Sequence, residues 1–338
     1  MLEEEKLETI EFWGLTPDEA RNSLVKKSKD LRDKTMELKE AVRKFVKNGD
    51  ALGIGGFVNS RQPVAIAHEI IRQGRKDLII SAHSLSLAGE YLAAAMIVDE
   101  NHVSIKAAEI AWWAYEVIGL APAFRYLVEN GMIEIEDWTN YGMSARFKAG
   151  AMGIPFIPTR DSSMTDIERT HRGKTIKCPF TSRSIHLVPA THPNVGLIHA
   201  QDADLYGNCR IYGPLCTCPE IALASEKSIV TCERIIDNYE IRKYPNRTNI
   251  PYFAVDAVVK TSFGAYPGNA YGIHYLDIKH IRMFRGACEK FRVEGDRKLL
   301  EDYFDKYIFG VEDFDGFMDL IPWKQVREAI EAEPGVYP

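Results

Sequence analysis

The segment Gly53-Ile54-Gly55-Gly56-Phe57 puts three glycines into five positions. Without side chains in the way, backbone N–H groups there can converge on a ligand. An anionic oxygen suits such a site, either a phosphate or the oxyanion formed at a thioester carbonyl. The spacing after Gly55 departs from the dinucleotide fingerprint and no Gly-Lys-Ser/Thr follows, so nucleotide binding is not expected. The same glycines would equally serve close packing of a strand on a helix. Asn59 and Arg61 follow the loop directly, and Arg61, Arg160 and Lys260 are the cations best placed by sequence to meet a carboxylate or a phosphate.

Other residues invite chemistry and are weighed against plainer roles. His199, Gln201, Asp202, Asp204, Gly207 and Asn208 cluster just past an apolar run, where ligands of open α/β sheets gather; Asp204 and Asn208 would equally shape a turn. His199 has the chemistry of a base, but no matching nucleophile stands out, so a positioning role is expected. Cys216-Thr217-Cys218, with Cys209 and His192 nearby, lacks the second ligand pair of a structural zinc site, and no metal is expected. Trp112, Trp113 and Tyr115 would line an acyl pocket or belong to the core. Val128-Glu129-Asn130-Gly131 reads as a helix ending at a glycine, with Glu129 on its surface.

The elements that must position these residues alternate. Apolar residues at 38, 41, 42, 45 and 46 predict a helix that stops at Gly49; a short apolar strand leads into the glycine loop; a helix is expected over 63–73 and a buried strand over 77–81. Strands near 103–106 and 132–136 and helices near 121–130 and 143–153 continue the rhythm of parallel neighbours. The second half adds strands at 185–188, 195–199, 228–232 and 254–259 and a helix at 219–225, separated by long loops at about 155–185 and 262–275 that suit binding surfaces. The fold class expected is α/β, an open, mostly parallel sheet flanked by helices. Residues 1–34 are highly charged, and Thr16-Pro17-Asp18-Glu19 has the form of a capping box; they are expected to form a helical arm beside a domain spanning 35–338.

Composition narrows the function classes. With 46% hydrophobic and 27% charged residues in 338, the chain is globular. A net charge of −6 offers no bulk attraction to nucleic acid or to an anionic membrane. No run approaches the ~20 apolar residues of a membrane span, and six scattered cysteines read as reduced thiols. A soluble, cytoplasmic protein is expected.

The glycine loop resembles the signature of family I CoA-transferase α subunits, and further segments are similar, in the same order, to the glutaconate CoA-transferase type. They include Arg61-Gln62-Pro63, Glu69-Ile70-Ile71-Arg72-Gln73-Gly74, Gly153-Ile154-Pro155-Phe156-Ile157-Pro158, Leu197-Ile198-His199-Ala200-Gln201, Ile229-Val230-Thr231-Cys232-Glu233, Val255-Asp256-Ala257-Val258-Val259 and Gly264-Ala265-Tyr266-Pro267. The resemblance implies the CoA-transferase fold and an enzyme that works with a β-type subunit. That partner carries the nucleophilic glutamate, so no catalytic nucleophile is expected in this chain. The coenzyme A thioester is a substrate and no cofactor is permanently bound. Gly53, Gly55, Gly56, Phe57, Asn59 and Arg61 are then the candidates for oxyanion and CoA binding. His83, Ser84, Glu109, Trp112, His199, Gln201 and Asn208 are the candidates for lining the acyl pocket, with Glu109 repelling a substrate carboxylate if it faces inward. Relatives that open steroid-derived rings by hydrolysis carry an acidic residue before a Gly-Met step where this chain has Tyr141. The alternatives are a hydrolase of the same fold and a non-catalytic chain that binds acyl-CoA.

Overall fold

The computed structural model describes residues 10–163 and 165–334, with the side chain of Val117 excepted. Its main sheet contains β1 (Ala51–Ile54), β2 (Leu78–Leu85), β3 (Ile105–Trp113), β4 (Glu134–Asp137), β8 (Val195–Ala203), β10 (Lys227–Ile235) and β11 (Ala257–Lys260). These seven strands are parallel and lie in the order β11-β10-β8-β1-β2-β3-β4. The short β9 (Cys209–Arg210) adds antiparallel to β8. Between β4 and β8 in the chain, β5 (Phe156–Thr159), β6 (Lys174–Lys177) and β7 (Ser184–Pro189) form a separate antiparallel sheet in the order β5-β7-β6. The long loop expected at 155–185 therefore has structure of its own.

Helices cover both faces. α2 (Leu38–Phe45), α3 (Val64–Arg72), α4 (Leu87–Val98) and α5 (Pro122–Glu129) lie on one, backed by α10 (Ile278–Glu294), α11 (Lys298–Phe304), α12 (Phe314–Asp319) and α13 (Trp323–Glu331) around one large apolar core. α6 (Asn140–Met152) and α8 (Cys218–Ala224) cover the other. α7 (Ile167–Thr170) and α9 (Asn238–Lys243) are short surface turns of helix.

The described part of the amino-terminal arm packs on its own domain. α1 (Pro17–Lys26) opens with the capping box, Thr16 Oγ1 accepting from the Glu19 amide and the Glu19 carboxylate accepting from the Thr16 amide. Leu15 N–H donates to the His192 carbonyl, and Lys27 forms a 2.7 Å ion pair with Asp256. Thr35 then pairs with Val258 beside β11. The arm thus crosses the amino ends of the strands as a strap; its first nine residues lie outside the described ones.

The chain order sets where a ligand belongs. From β1 the chain moves outward through β2, β3 and β4, then returns to the other side of β1 as β8. The direction reverses between β1 and β8, and the crevice outside the carboxyl ends at such a reversal is where open α/β sheets hold ligands. The glycine loop leaves β1 at that crevice.

Candidate functional site

Backbone strain gathers at the carboxyl edge. Val58 (φ +49°), Arg61 (φ +52°), Glu116 (φ +51°), Cys216 (φ +49°) and Phe263 (φ +56°) occupy the left-handed region in loops at this end of the sheet. A β-branched residue there is a genuine outlier, and such strain persists where the surrounding contacts impose it, commonly at functional sites. Those contacts are visible. Val58 N–H donates to the Ser84 carbonyl at 3.1 Å, Arg61 N–H to Asn269 at 2.7 Å, and Asn269 N–H to Asn59 at 2.9 Å. Ser60 Oγ bonds Asn269 Oδ1 at 2.8 Å.

The glycine loop is arranged differently from the sequence expectation. Gly53 lies within β1, where a Cβ would come within 3.0 Å of Pro193 and Ile221, so its role is close packing of the strand on α8. The amides of Gly55, Gly56 and Phe57 do not converge on an open position. Gly55 donates to Leu197 at 2.9 Å and Phe57 to Ser60 at 2.9 Å, while Gly56 donates to Cys218 Sγ at 3.1 Å. Nor does α3 offer a free amino end to a phosphate, since Ala65 N–H donates to the Gly264 carbonyl. A side chain on Gly56 (φ +95°) would meet backbone oxygens of Ser60 and Arg61 within 2.9 Å, so a Gly56→Val change would break the loop itself.

Arg61 is fully buried. Its guanidinium bonds the Pro214 carbonyl and approaches Cys218 Sγ at 3.6 Å, so it braces the loop from within rather than presenting charge to a phosphate. Asn59 reaches the Tyr115 carbonyl through Nδ2 at 3.3 Å. Arg160 and Lys260 are exposed; Lys260 borders a groove shared with Glu312, Asp313 and Asp315, an acidic setting that disfavours phosphate.

The open rim of the crevice is built by Phe57, His83 and their neighbours. His83, the one residue of β2 that is not fully buried, holds the Ser84 hydroxyl at 2.8 Å and lies 6.1 Å from the Phe57 ring. Partial burial lowers the His83 pKa below its usual range, against the opposing pull of the Asn140 backbone. Trp112, opposite Ser84 in the sheet register, is 42% exposed, and Tyr141 is exposed at the start of α6. Trp113 by contrast stacks on Phe124 at 4.0 Å, and Tyr115 is buried.

The remaining pocket candidates are tied into the scaffold. His199 is buried between Thr231 Oγ1 at 3.0 Å and Glu233 Oε1 at 2.9 Å, and Glu233 Oε2 accepts the Phe263 amide at 2.7 Å. Gln201 clamps the backbones of Tyr212 and Tyr271. Asp204 accepts from the amides of Tyr206 and Asn208 and from the side chains of Asn208 and Asn238, which is the turn-shaping role. Glu109 does not face the crevice as a free charge. It is 1% exposed and bound by Arg146 at 2.9 Å and Arg172 at 3.1 Å, with Ser81 and Thr191 hydroxyls on its other oxygen. Glu136 completes the cluster with both arginines, so two carboxylates balance two guanidiniums. Glu129 ends α5 and pairs with Arg125 at the surface.

Three contributors give little or no signal in the sequence. Cys218 stands out there only as half of a possible metal pair, yet its sulfur is the acceptor beneath the glycine loop. Gln62 reaches the Gly55 and Ser84 carbonyls at 3.4 and 3.3 Å. Asn269 fastens the loop through Ser60, 209 residues away in the chain, with no local signal.

Known proteins share this architecture. The sequence profile of the coenzyme A transferase family matches residues 35–261. The chain is 39% identical over 307 residues to an uncharacterized protein of Archaeoglobus fulgidus, covering 90% of this chain and 66% of that protein, so it spans just under two thirds of that relative's length. It is 32% identical to one subunit of the 3-oxoadipate CoA-transferase of Pseudomonas knackmussii, covering 85% of this chain and 97% of that one. The crystal structure of glutaconate coenzyme A-transferase from Acidaminococcus fermentans superposes with a TM-score of 0.79 at 27% identity, covering 88% of this chain and 95% of its own.

Proposed function

The chain belongs to the coenzyme A transferase family, and from that premise we propose that it is the α-type subunit of a heteromeric enzyme moving CoA between an acyl-CoA and a carboxylic acid, with the nucleophilic glutamate supplied by a β-type partner. One observation carries this reading. Among the described residues, the buried carboxylates at the carboxyl edge are all engaged: Glu233 by His199 and the Phe263 amide, Asp202 by Arg234 and Tyr212, Asp204 by its turn. This engagement supports a reading in which the attacking carboxylate is the partner's. The crevice beside β1 and β8 is its destination. The partly exposed Phe57 and His83 and the exposed Trp112 and Tyr141 form the rim it would meet.

In this mechanism the partner's glutamate attacks the thioester carbonyl, and the C–S bond breaks to give an acyl-glutamyl anhydride and free CoA thiolate. The thiolate attacks the glutamyl carbonyl, releasing the first carboxylate and leaving a glutamyl-CoA thioester. The incoming acid then reverses these steps. Such ping-pong chemistry needs no proton from this chain, only positioning and stabilisation of the oxyanion. His83, held neutral, adds no cation to the rim, and Arg61 supports the loop from below.

The test is reconstitution with a β-type subunit. Label in CoA should pass from an acyl-CoA to an added free acid, and borohydride should trap the intermediate on a glutamate of the partner. Release of free CoA at the same rate with and without an acceptor acid would replace this reading with hydrolysis, and full activity of this chain alone would remove the partner's role.

A further inference from the structure

Six loops surround the carboxyl-edge crevice, at 55–63, 83–86, 111–121, 137–141, 211–217 and 262–275. In a chain with 27% charged residues they carry only three fixed charges, Arg61, Glu116 and Asp137. Arg61 is buried and engaged by the Pro214 carbonyl, whereas Glu116 and Asp137 are exposed. The exposed fixed charges of these loops are therefore both carboxylates.

The cations that stand near the loops are engaged as well. Arg146 and Arg172 balance Glu109 and Glu136, and Arg234 pairs with Asp202 at 2.7 Å. Arg285 donates to the Leu120 carbonyl at 3.1 Å and stands in the field of Glu90 and Glu289. Arg160 is exposed just after β5, on the separate sheet, with Asp161 next to it. Burial lowers the pKa of His83 and of His274, so both imidazoles are neutral at neutral pH. The rim beside His83 is aromatic. The ring centroids of Phe57 and His83 are 6.1 Å apart, Trp112 is exposed opposite Ser84 in the sheet register, and the exposed Tyr141 follows Asn140, whose backbone meets His83.

We infer, on the transferase reading and as its substrate class, that the acids served by this chain are monocarboxylic with an apolar end of ring size, and that Phe57, Trp112 and Tyr141 form the wall that selects them. A second carboxylate on the acyl group would lose water against this wall and meet no free cation among the described residues. The exposed Glu116 and Asp137 would repel it. A planar ring instead gains from stacked or edge contacts with the three aromatic side chains. Two relatives are named for 3-oxoadipate and glutaconate, both dicarboxylic acids, so the fold is shared while the acyl class differs.

The test uses the complex reconstituted with a β-type subunit, acetyl-CoA as donor, and hexanoate, adipate or 3-phenylpropanoate as acceptor. Hexanoate and adipate have equal chain length and differ in the terminal carboxylate. The kcat/KM for hexanoate should exceed that for adipate about 100-fold, with 3-phenylpropanoate at or above hexanoate. Trp112→Arg should shrink the hexanoate-to-adipate ratio about tenfold, because a guanidinium then meets the second carboxylate. Trp112→Ala should lower the ratio of 3-phenylpropanoate to hexanoate about fivefold. Trp112 is exposed, so neither change opens the core, and a residue that only shapes the fold would lower all three acids alike. Adipate used as well as hexanoate, or ratios left unmoved by either Trp112 variant, overturns the assignment. Calorimetric titration of the complex with hexanoyl-CoA and with adipyl-CoA reads the same preference without turnover. A complex that transfers no CoA yet binds hexanoyl-CoA about 100-fold more tightly would sink the transferase reading and leave the acyl class standing; equal binding sinks the acyl class whatever the turnover.

Discussion

Glu233 shows what one buried carboxylate contributes here. Burial works to raise its pKa, but the hydrogen bond and charge of His199, the charge of His274 and the Phe263 amide outweigh it and hold the group below its usual value. A depressed carboxyl pKa contributes stability that is fully present above the unfolded value near 4.5 and is lost as pH falls through the folded value. Glu233→Gln should therefore destabilise the protein by about 3 kcal/mol at neutral pH, since His199 loses its buried partner. Urea unfolding at a series of pH values should show the parent losing stability more steeply than the variant below pH 4.5. Parallel curves would place the acid sensitivity elsewhere. His274 lies beside this pair, and burial lowers its own pKa. A second test therefore repeats the titration in His274→Gln, where the Glu233 effect should persist.

The elements hold these side chains by tight packing, and α4 is the clearest case. A Cβ on Gly89 would lie 2.3 Å from Leu85 Cδ2 and 2.5 Å from Trp113. Alanine in place of a helix-interior glycine normally stabilises by up to about 1 kcal/mol, but here the overpacking should win and cost about 1–3 kcal/mol, read as a lower midpoint in denaturant. This helix is not legible in the sequence because residues 87–97 are buried all round, which erases the 3.6-residue period by which helices are recognised. β2 and β3 extend further than the pattern predicts, since the largely buried runs at 78–85 and 105–113 do not alternate cleanly. By contrast α2, its glycine stop, and α3 are readable to within a few residues, because α3, although buried from Val64 to Ile71, still gathers His68, Glu69 and Arg72 on one side of its sequence pattern. At the site, local composition locates the glycine loop and the turn around Asp204. It does not show which way the amides point, that Arg61 is buried, or that Glu109 is neutralised by Arg146 and Arg172, because those follow from contacts between distant segments.

At the scale of the molecule, the two ends of the sheet are divided between the strap and the crevice. The strap's strongest contact is the Lys27–Asp256 pair, with Lys27 also donating to the carbonyls of Glu226 and Ala254. Removing residues 1–33 should destabilise the remaining domain by about 3–5 kcal/mol, because it takes away the Lys27–Asp256 pair and uncovers Ala51, Ile79 and Ala107 beneath Trp13. Asp256→Asn should then cost less in the shortened chain than in the full one, a coupling that a double-mutant cycle on unfolding free energies would read; equal costs would mean the strap is held by packing alone. The strap also has a practical bearing. Because Trp13 packs with Ala51, Ile79 and Ala107 at the amino ends of β1, β2 and β3, a fluorophore or linker placed on the exposed Glu11 sits at the side opposite the crevice. Immobilising the protein there leaves the crevice facing the solution, open to any candidate partner or acyl-CoA.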